Sequence, residues 1–380
     1  MLLTKRERLL RTFKGMETDR VAVSPFIWTN FVNEFYKMNM SPADEKLDER
    51  LINVYKNFDF DIMHRTCTIW DAFSNQYLDS KNWRVTIEEN KTSEKQRKLT
   101  TTIRTPEKEL TEVKEFRKTT EYDEISAETE HFIKTPEDFE QFIKYQPPVP
   151  KFDCSRIARA NEMLGDDGIT APWVSGVFNT ASRHLKIDSL LMDAYEDPDF
   201  YNGIMEYFTQ RQIATCIQFA NAGADVLTFE GNIANGSMVG PNYFETNILA
   251  YEKRIIKAIQ ESGPFVLYHN CGDTNAMFDV YNRLGLDALE TLTEKPFGDT
   301  DIDHALLVLN NNITVIGNID QIEFLRTASR GEIRERVKSL LEKFKTRRKF
   351  ILGTSDYISE GTSYENIKTF SDAGREFGAF

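Results

Sequence analysis

Long apolar runs are missing from this chain. No stretch approaches the roughly 18 residues that a membrane-spanning helix needs, so no membrane association is expected. Cysteine is scarce: Cys67, Cys154, Cys216 and Cys271 lie far apart in 380 residues. That is not a disulfide framework, and it suits a reducing compartment. The opening Met-Leu-Leu-Thr-Lys-Arg-Glu-Arg has neither the apolar core nor the small-residue cleavage site of a secretion signal, so the expectation is a cytoplasmic protein. Positive charge is in deficit as well. A formal charge of −13 argues against nucleic-acid binding, which needs a concentrated positive field. Finally, no Gly-rich phosphate loop follows the first apolar segment, which disfavours an open dinucleotide-binding sheet.

What is present is apolar bulk in a regular rhythm. Apolar residues make up 40% of the chain, with 27 Phe and 14 Tyr, enough for a large core and for an aromatic pocket wall. Eight short apolar runs read as strands: Val21–Trp28, Phe58–His64, Gly168–Ser175, Ala224–Glu230, Phe265–Cys271, Leu286–Leu292, Ile313–Ile319 and Phe350–Ser355. Amphipathic helical stretches separate most of them, around Leu47–Asn57, Ser189–Ala222, Phe244–Glu261, Asn275–Leu284, Thr300–Asn310 and Arg330–Arg347. Pro198 should split the second of these into two helices. A first helix opens at Thr4 as N-cap and closes near Gly15. Strands alternating with helices imply parallel βαβ units, and eight of them imply a closed α/β barrel, the (β/α)8 or TIM-barrel fold. The whole of 1–380 reads as one barrel domain. The polar stretch from about 66 to 150 breaks the rhythm. Trp83–Glu88 and Leu99–Arg104 alternate with period two, as the strands of an antiparallel hairpin do, and Thr135-Pro136 opens a short helix. This segment reads as an insertion between barrel strands two and three, lying over the mouth.

In such barrels functional side chains cluster at the C-terminal strand ends. Those ends read Phe229-Glu230-Gly231-Asn232, Tyr268-His269-Asn270-Cys271-Gly272-Asp273, Glu290, Gly317-Asn318-Ile319-Asp320 and Gly353-Thr354-Ser355-Asp356. His269 and Cys271 are two apart on an extended segment and face the same way. Zinc accepts such a nitrogen–sulfur pair; the same spacing also fits a hydrogen-bonded His beside a buried thiol. Glu230 ends an apolar run where a carboxylate is costly unless it binds a metal or pairs with an Arg. Glu245 is placed to reach the same rim or to stay solvated at a helix start. Asp356 is a candidate ligand, a partner of His269 or a substrate contact. Trp28, Trp70 and Trp173 sit near strand ends, where they either wall a pocket or pack the core. His64 reads as a general acid or a rim His, and Asn232, Asn318 and Asp320 as polar contacts.

Taken in order, the Thr4-Lys-Arg-Glu-Arg helix, Asp19-Arg20-Val21, Gly223-Ala224-Asp225, His269-Asn-Cys271-Gly272, Gly298-Asp299, Gly317-Asn318-Ile319-Asp320 and Ile351-Leu-Gly-Thr354 resemble the uroporphyrinogen decarboxylase superfamily. Within it the chain resembles the corrinoid-dependent methyltransferases. True decarboxylases carry an Arg-rich segment after the first strand; here Phe26–Glu34 contains no Arg. Thiol-methylating members pair an H-x-C with a Cys after strand eight, a place taken here by Asp356. The resemblance therefore implies an ether-cleaving methyltransferase of anaerobic metabolism. Glu230, Glu245 and His269 would be its zinc ligands, with Cys271 a fourth ligand or a bystander. Glu230, His269 and Asp356 would carry the catalysis, and Trp28, His64, Trp173, Asn232 and Asn318 would line the substrate site. The methyl of a small methoxylated, aromatic compound would pass to the cobalt of a corrinoid held by a separate partner protein. Methyl transfer from a corrinoid to a thiol, and a non-catalytic barrel that holds a corrinoid or ligand, are the alternatives. A homodimer is compatible with all three.

Overall fold

The computed structural model describes residues 2–379. Thirteen strands occur in chain order: β1 (Ala22–Val23), β2 (Ile62–His64), β3 (Arg84–Ser93), β4 (Gln96–Arg104), β5 (Glu109–Lys118), β6 (Glu124–Glu130), β7 (Gly168–Thr170), β8 (Trp173–Ser175), β9 (Val226–Glu230), β10 (Phe265–His269), β11 (Ala288–Glu290), β12 (Thr314–Ile319) and β13 (Phe350–Thr354). Nine of them build an eight-stranded parallel barrel. β7 and β8 are the two halves of its third strand, broken at Pro172, which has no N–H to give the ladder. The first half pairs with β2 and the second with β9. The remaining strands follow in order to β13, which pairs with β1. Asp61, just before β2, closes the ring against β1: its N–H donates to Val23 O at 2.9 Å and its Oδ2 accepts from Val23 N at 2.7 Å.

The lumen is filled by inward-facing apolar residues: Ala22, Met63, Ile169, Ala171, Val226, Leu267, Ala288, Ile316 and Ile351. Its N-terminal end is plugged by the helix Lys5–Phe13, which inserts Leu9 and Phe13. Thr4 and Glu7 form a reciprocal capping box at that helix start. With the lower lumen packed solid, only the C-terminal mouth is left for polar chemistry.

Every one of the eight apolar runs contains a barrel strand, though most strands are shorter than their runs. The long helical stretch does divide at Pro198, into Ile187–Glu196 and Pro198–Asn221, and Asp197 caps the second through Phe200 N at 3.1 Å. Four helices of two turns or more were not anticipated, Thr29–Tyr36, Ser155–Leu164, Val177–His184 and Tyr364–Phe377, nor were the single turns Gly240–Tyr243 and Phe324–Thr327.

The insertion between the second and third barrel strands is a four-stranded antiparallel sheet, β3-β4-β5-β6, where a single hairpin was expected. Its third strand β5 carries Lys, Glu and Arg on both faces and its edge strand β6 is short and acidic, so neither stands out in the sequence. The sheet is anchored by Trp83, fully buried with Nε1 donating to Gln76 O at 2.8 Å. The β5–β6 turn reaches across to the loop after β13. There Thr120 hydrogen-bonds Glu360, and Tyr357 Oη donates to Asp123 Oδ2 at 3.3 Å. Beneath it a cleft of about 990 Å³ separates the sheet from Trp28, Thr29 and Asn30 at the barrel mouth.

One buried group behind the barrel has a measurable consequence. Glu252, on the helix Leu249–Glu261, is fully buried; its Oε2 accepts from Tyr268 Oη at 2.9 Å and its Oε1 has no partner. Burial pushes its carboxyl up to about 8, only partly offset by the Tyr268 bond. The folded chain therefore keeps a proton that the unfolded chain releases between about pH 4.5 and 8, and stability falls as pH rises through that window. Glu252→Gln keeps the shape and needs no proton. It is expected to be more stable than the parent by about 2–4 kcal/mol at pH 8 and nearly equal to it at pH 4.5, as read by urea unfolding at both pH values.

Candidate metal centre

Ser175, Glu230, His269, Glu290 and Ile316 occupy one row across β8, β9, β10, β11 and β12. Partners in register on parallel strands point to the same face, here the lumen. His269 is nearly buried, and its Nδ1 lies 2.8 Å from Glu290 Oε1. Glu290 in turn receives both ends of Arg65, at 2.5 and 2.6 Å, from across the lumen. Nδ1 of His269 is thereby committed as donor, which leaves Nε2 as the atom free to ligate.

Past the end of β10, Cys271 lies on the same side as His269. Asn270 between them is turned outward, donating to Tyr281 Oη at 2.6 Å and to Gly231 O at 3.3 Å. Gly231 is required there, because a Cβ would lie 2.1 Å from the Tyr268 ring. Asp356 comes in from the loop after β13. Its backbone N–H donates to Gln321 Oε1 at 3.1 Å and its Oδ1 accepts from Tyr357 N at 2.7 Å. Ligand atoms of His269, Cys271 and Asp356 all lie within 4.8 Å of one another. Nitrogen, sulfur and carboxylate oxygen are the donor types zinc takes, and three protein ligands leave a coordination position open, the pattern of catalytic sites.

The electrostatics favour a cation in this cluster. Burial by itself would lower the His269 pKa, yet the bonds to Cys271 and Glu290 and the charge of Asp356 push it well above the ordinary imidazole value. Burial would raise Glu290, but the Arg65 charge and the His269 bond hold it down at about 2. Burial raises Asp356, opposed by His269.

The wall beside the cluster is aromatic. The Trp173 ring lies edge-on to His269 with centroids 5.0 Å apart, and Phe26 does so at 6.0 Å. Trp28, Trp70 and Tyr357 extend this wall: Phe26 lies 5.6 Å from Trp28 and 5.9 Å from Tyr357, and Trp28 lies 6.0 Å from Trp70. The Arg65 guanidinium stacks over Phe26 at 4.1 Å, which covers one apolar face with a cation already neutralised by Glu290.

The remaining expected site residues are placed as follows. Glu230 faces the lumen beside His269, but both its oxygens are taken by Arg183 Nη2, at 2.9 and 2.7 Å, and Ser175 Oγ approaches at 3.3 Å. It is a paired carboxylate and not one of the converging donors. Glu245 corrects the expected ligand set more sharply: it is exposed and paired with Arg283, in a π-helical turn over Phe244–Ile248. His64 is also corrected as a substrate contact. It alternates with lumen-facing Met63 and Arg65, so it points outward, and its Nε2 lies 3.2 Å from buried Asp48. Asn232 accepts from Asn179 Nδ2 at 2.6 Å. Asn318 is buried at the rim and donates to Leu292 O and Glu294 Oε2. Trp28 and Trp173 stand in the aromatic wall. Arg65 and the role of Glu290 were missed; the one available signal was an Arg directly after the second strand, at a lumen-facing position.

A closed parallel barrel, plugged below and bearing His, Cys and Asp donors at its C-terminal mouth, places the protein among the (β/α)8 barrels with a candidate metal centre. Residues 119–377, more than half of the chain, match the model of the family described as Uroporphyrinogen decarboxylase (URO-D). The chain belongs to that family. It is 22% identical over 219 residues to methylcobamide:CoM methyltransferase MtbA of Methanosarcina mazei, covering 56% of this chain and 61% of that protein. It is 26% identical over 232 residues to a uroporphyrinogen decarboxylase of Prochlorococcus marinus, covering 58% and 62% respectively. The chain thus spans less than two thirds of the curated relatives it matches. A solved structure, a methyltransferase from Methanosarcina mazei, superposes with a TM-score of 0.72 at 17% identity, covering 99% of this chain and all of the other. That likeness supports the barrel and its insertion as a shared fold. No helix among the described residues is long and apolar enough to cross a membrane.

Proposed function

We propose that the protein is a cytoplasmic, zinc-dependent methyltransferase that moves a methyl group from a small methoxylated aromatic compound to the cobalt of a corrinoid carried by a partner protein. The convergence of His269, Cys271 and Asp356 within 4.8 Å at the open end of the barrel carries this reading. Bound there, zinc would supply Lewis acidity toward the ether oxygen of the donor. The chain's own residues supply the rest. Glu290, held by Arg65, fixes the orientation of the His269 ring. Trp28, Trp173, Phe26 and Tyr357 offer ring edges and faces against which an aromatic donor stacks. The cleft under the inserted sheet is the approach for the corrinoid. The absence of Arg from Phe26–Glu34 disfavours a substrate with many carboxylates, and so disfavours decarboxylation of a porphyrinogen. The methylcobamide:CoM methyltransferase activity named for the Methanosarcina relatives supports corrinoid chemistry of this class.

A second reading, methyl transfer from a corrinoid to a thiol, is favoured by the presence of Cys271 among the donors and by the name of those relatives. The two separate in one experiment. The parent and Cys271→Ser are each given a methoxylated aromatic with a reduced corrinoid protein, and separately a methylated corrinoid protein with a thiol. The first reading predicts ether cleavage by the parent, weakened about 10- to 100-fold in Cys271→Ser and partly recovered by added zinc. Turnover by the parent in the thiol assay alone would replace the first reading with the second.

A further inference from the structure

Outside the candidate metal centre, on the far side of Trp173, a small cavity of about 50 Å³ opens between the third barrel strand and the helix Pro198–Asn221. Val174, Phe208 and Phe219 give it apolar walls, and Arg183, Arg211 and Gln212 line it as well. Arg183 is neutralised by Glu230. Arg211 is not neutralised: among the described residues it makes no ion pair. It donates only to Pro147 O at 3.0 Å and Asn75 Oδ1 at 2.8 Å, so most of its five N–H donors are unused. Burial without a counter-ion lowers its pKa from the ordinary guanidinium value, with Tyr207 opposing. The indole Nε1–H of Trp173 is buried and has no partner either. A half-buried guanidinium with spare donors and no counter-ion attracts an anion that can use them.

We propose that this pocket binds a small organic carboxylate, its oxygens taken by the fork of Arg211 and its apolar body lying against Val174, Phe208 and Phe219. The planar guanidinium matches a planar carboxylate in a bidentate fit, and the apolar walls favour an organic body over a fully hydrated inorganic ion. The site is independent of the proposed methyl transfer, although Trp173 borders both.

The test uses the full chain, with acetate, propionate and inorganic phosphate titrated at constant ionic strength. Binding is read by calorimetry and by the Trp173 indole N–H resonance, assigned with Trp173→Phe. Saturable binding of acetate or propionate that shifts this resonance is expected. It should persist in His269→Ala and weaken about tenfold or more in Arg211→Met. Should Arg211→Met fail to fold, Arg211→Lys keeps the charge but loses the fork, and the same weakening is expected. Carboxylate affinity unchanged in the Arg211 variants, loss of binding in His269→Ala, saturation by phosphate alone, or no saturable binding would each overturn the proposal.

Discussion

Replacing His269 by alanine is expected to strip the protein of its metal and to lower methyl transfer by about 10³-fold or more, with the fold retained. Three groups converge on the proposed ion, and His269 is the one whose orientation the protein fixes most firmly. Nδ1 is bound to Glu290, Glu290 is clamped by Arg65, and the ring is flanked by Trp173 and Phe26. Removing one of three protein ligands from a catalytic-type zinc site leaves two, too few to hold the ion against water and buffer. Asp356→Ala should behave similarly. Asp356→Asn, which keeps an oxygen but loses the charge, should retain weakened metal binding. The pattern is checked by metal stoichiometry after dialysis, set beside initial rates. Normal turnover by metal-free His269→Ala would contradict it.

The second large effect is on stability. Glu290→Leu should destabilise the protein by about 3–5 kcal/mol, because it leaves the Arg65 guanidinium buried with no counter-ion. Arg65 is 1% exposed and, among the described residues, has no other carboxylate in hydrogen-bond reach. Burying the pair is costly in itself, so the penalty lies in breaking it rather than in lacking it. The double replacement Arg65→Met/Glu290→Leu is therefore expected to recover most of the loss, a coupling that a double-mutant cycle measures directly. Neither variant should orient His269 properly, so activity should stay low in both. Recovery of stability without recovery of activity is the signature of a pair that positions the histidine.

The fold was legible because burial on both faces of parallel strands leaves continuous apolar runs such as Ile313–Ile319 and Phe350–Ser355, and these stand out between helices. The insertion was only partly legible. Its β3 and β4 alternate visibly, while Glu109–Lys118 is charged on both faces and Glu124–Glu130 offers only Ile125 and Ala127 as apolar alternates to its three glutamates. The candidate site divides in the same way. His269 and Cys271 share a strand end, so their spacing shows they face together. That Asp356 joins them follows only from a loop whose path depends on barrel closure. Glu230 illustrates the opposite failure. A carboxylate at the end of a buried strand announces that it has a partner, but not whether the partner is a metal or, as here, Arg183. The Arg65–Glu290 clamp spans the lumen between residues 225 positions apart, and no local pattern reveals such a pairing.

The measurement closest to the central claim is X-ray absorption at the zinc edge on protein purified without chelator, with elemental analysis of the same sample. One zinc per chain is expected, with one sulfur neighbour at about 2.3 Å and nitrogen and oxygen neighbours at about 2.0–2.2 Å, the sulfur shell vanishing in Cys271→Ser. A chain without bound metal, or a metal whose surroundings are the same in Cys271→Ser and His269→Ala as in the parent, would contradict the account.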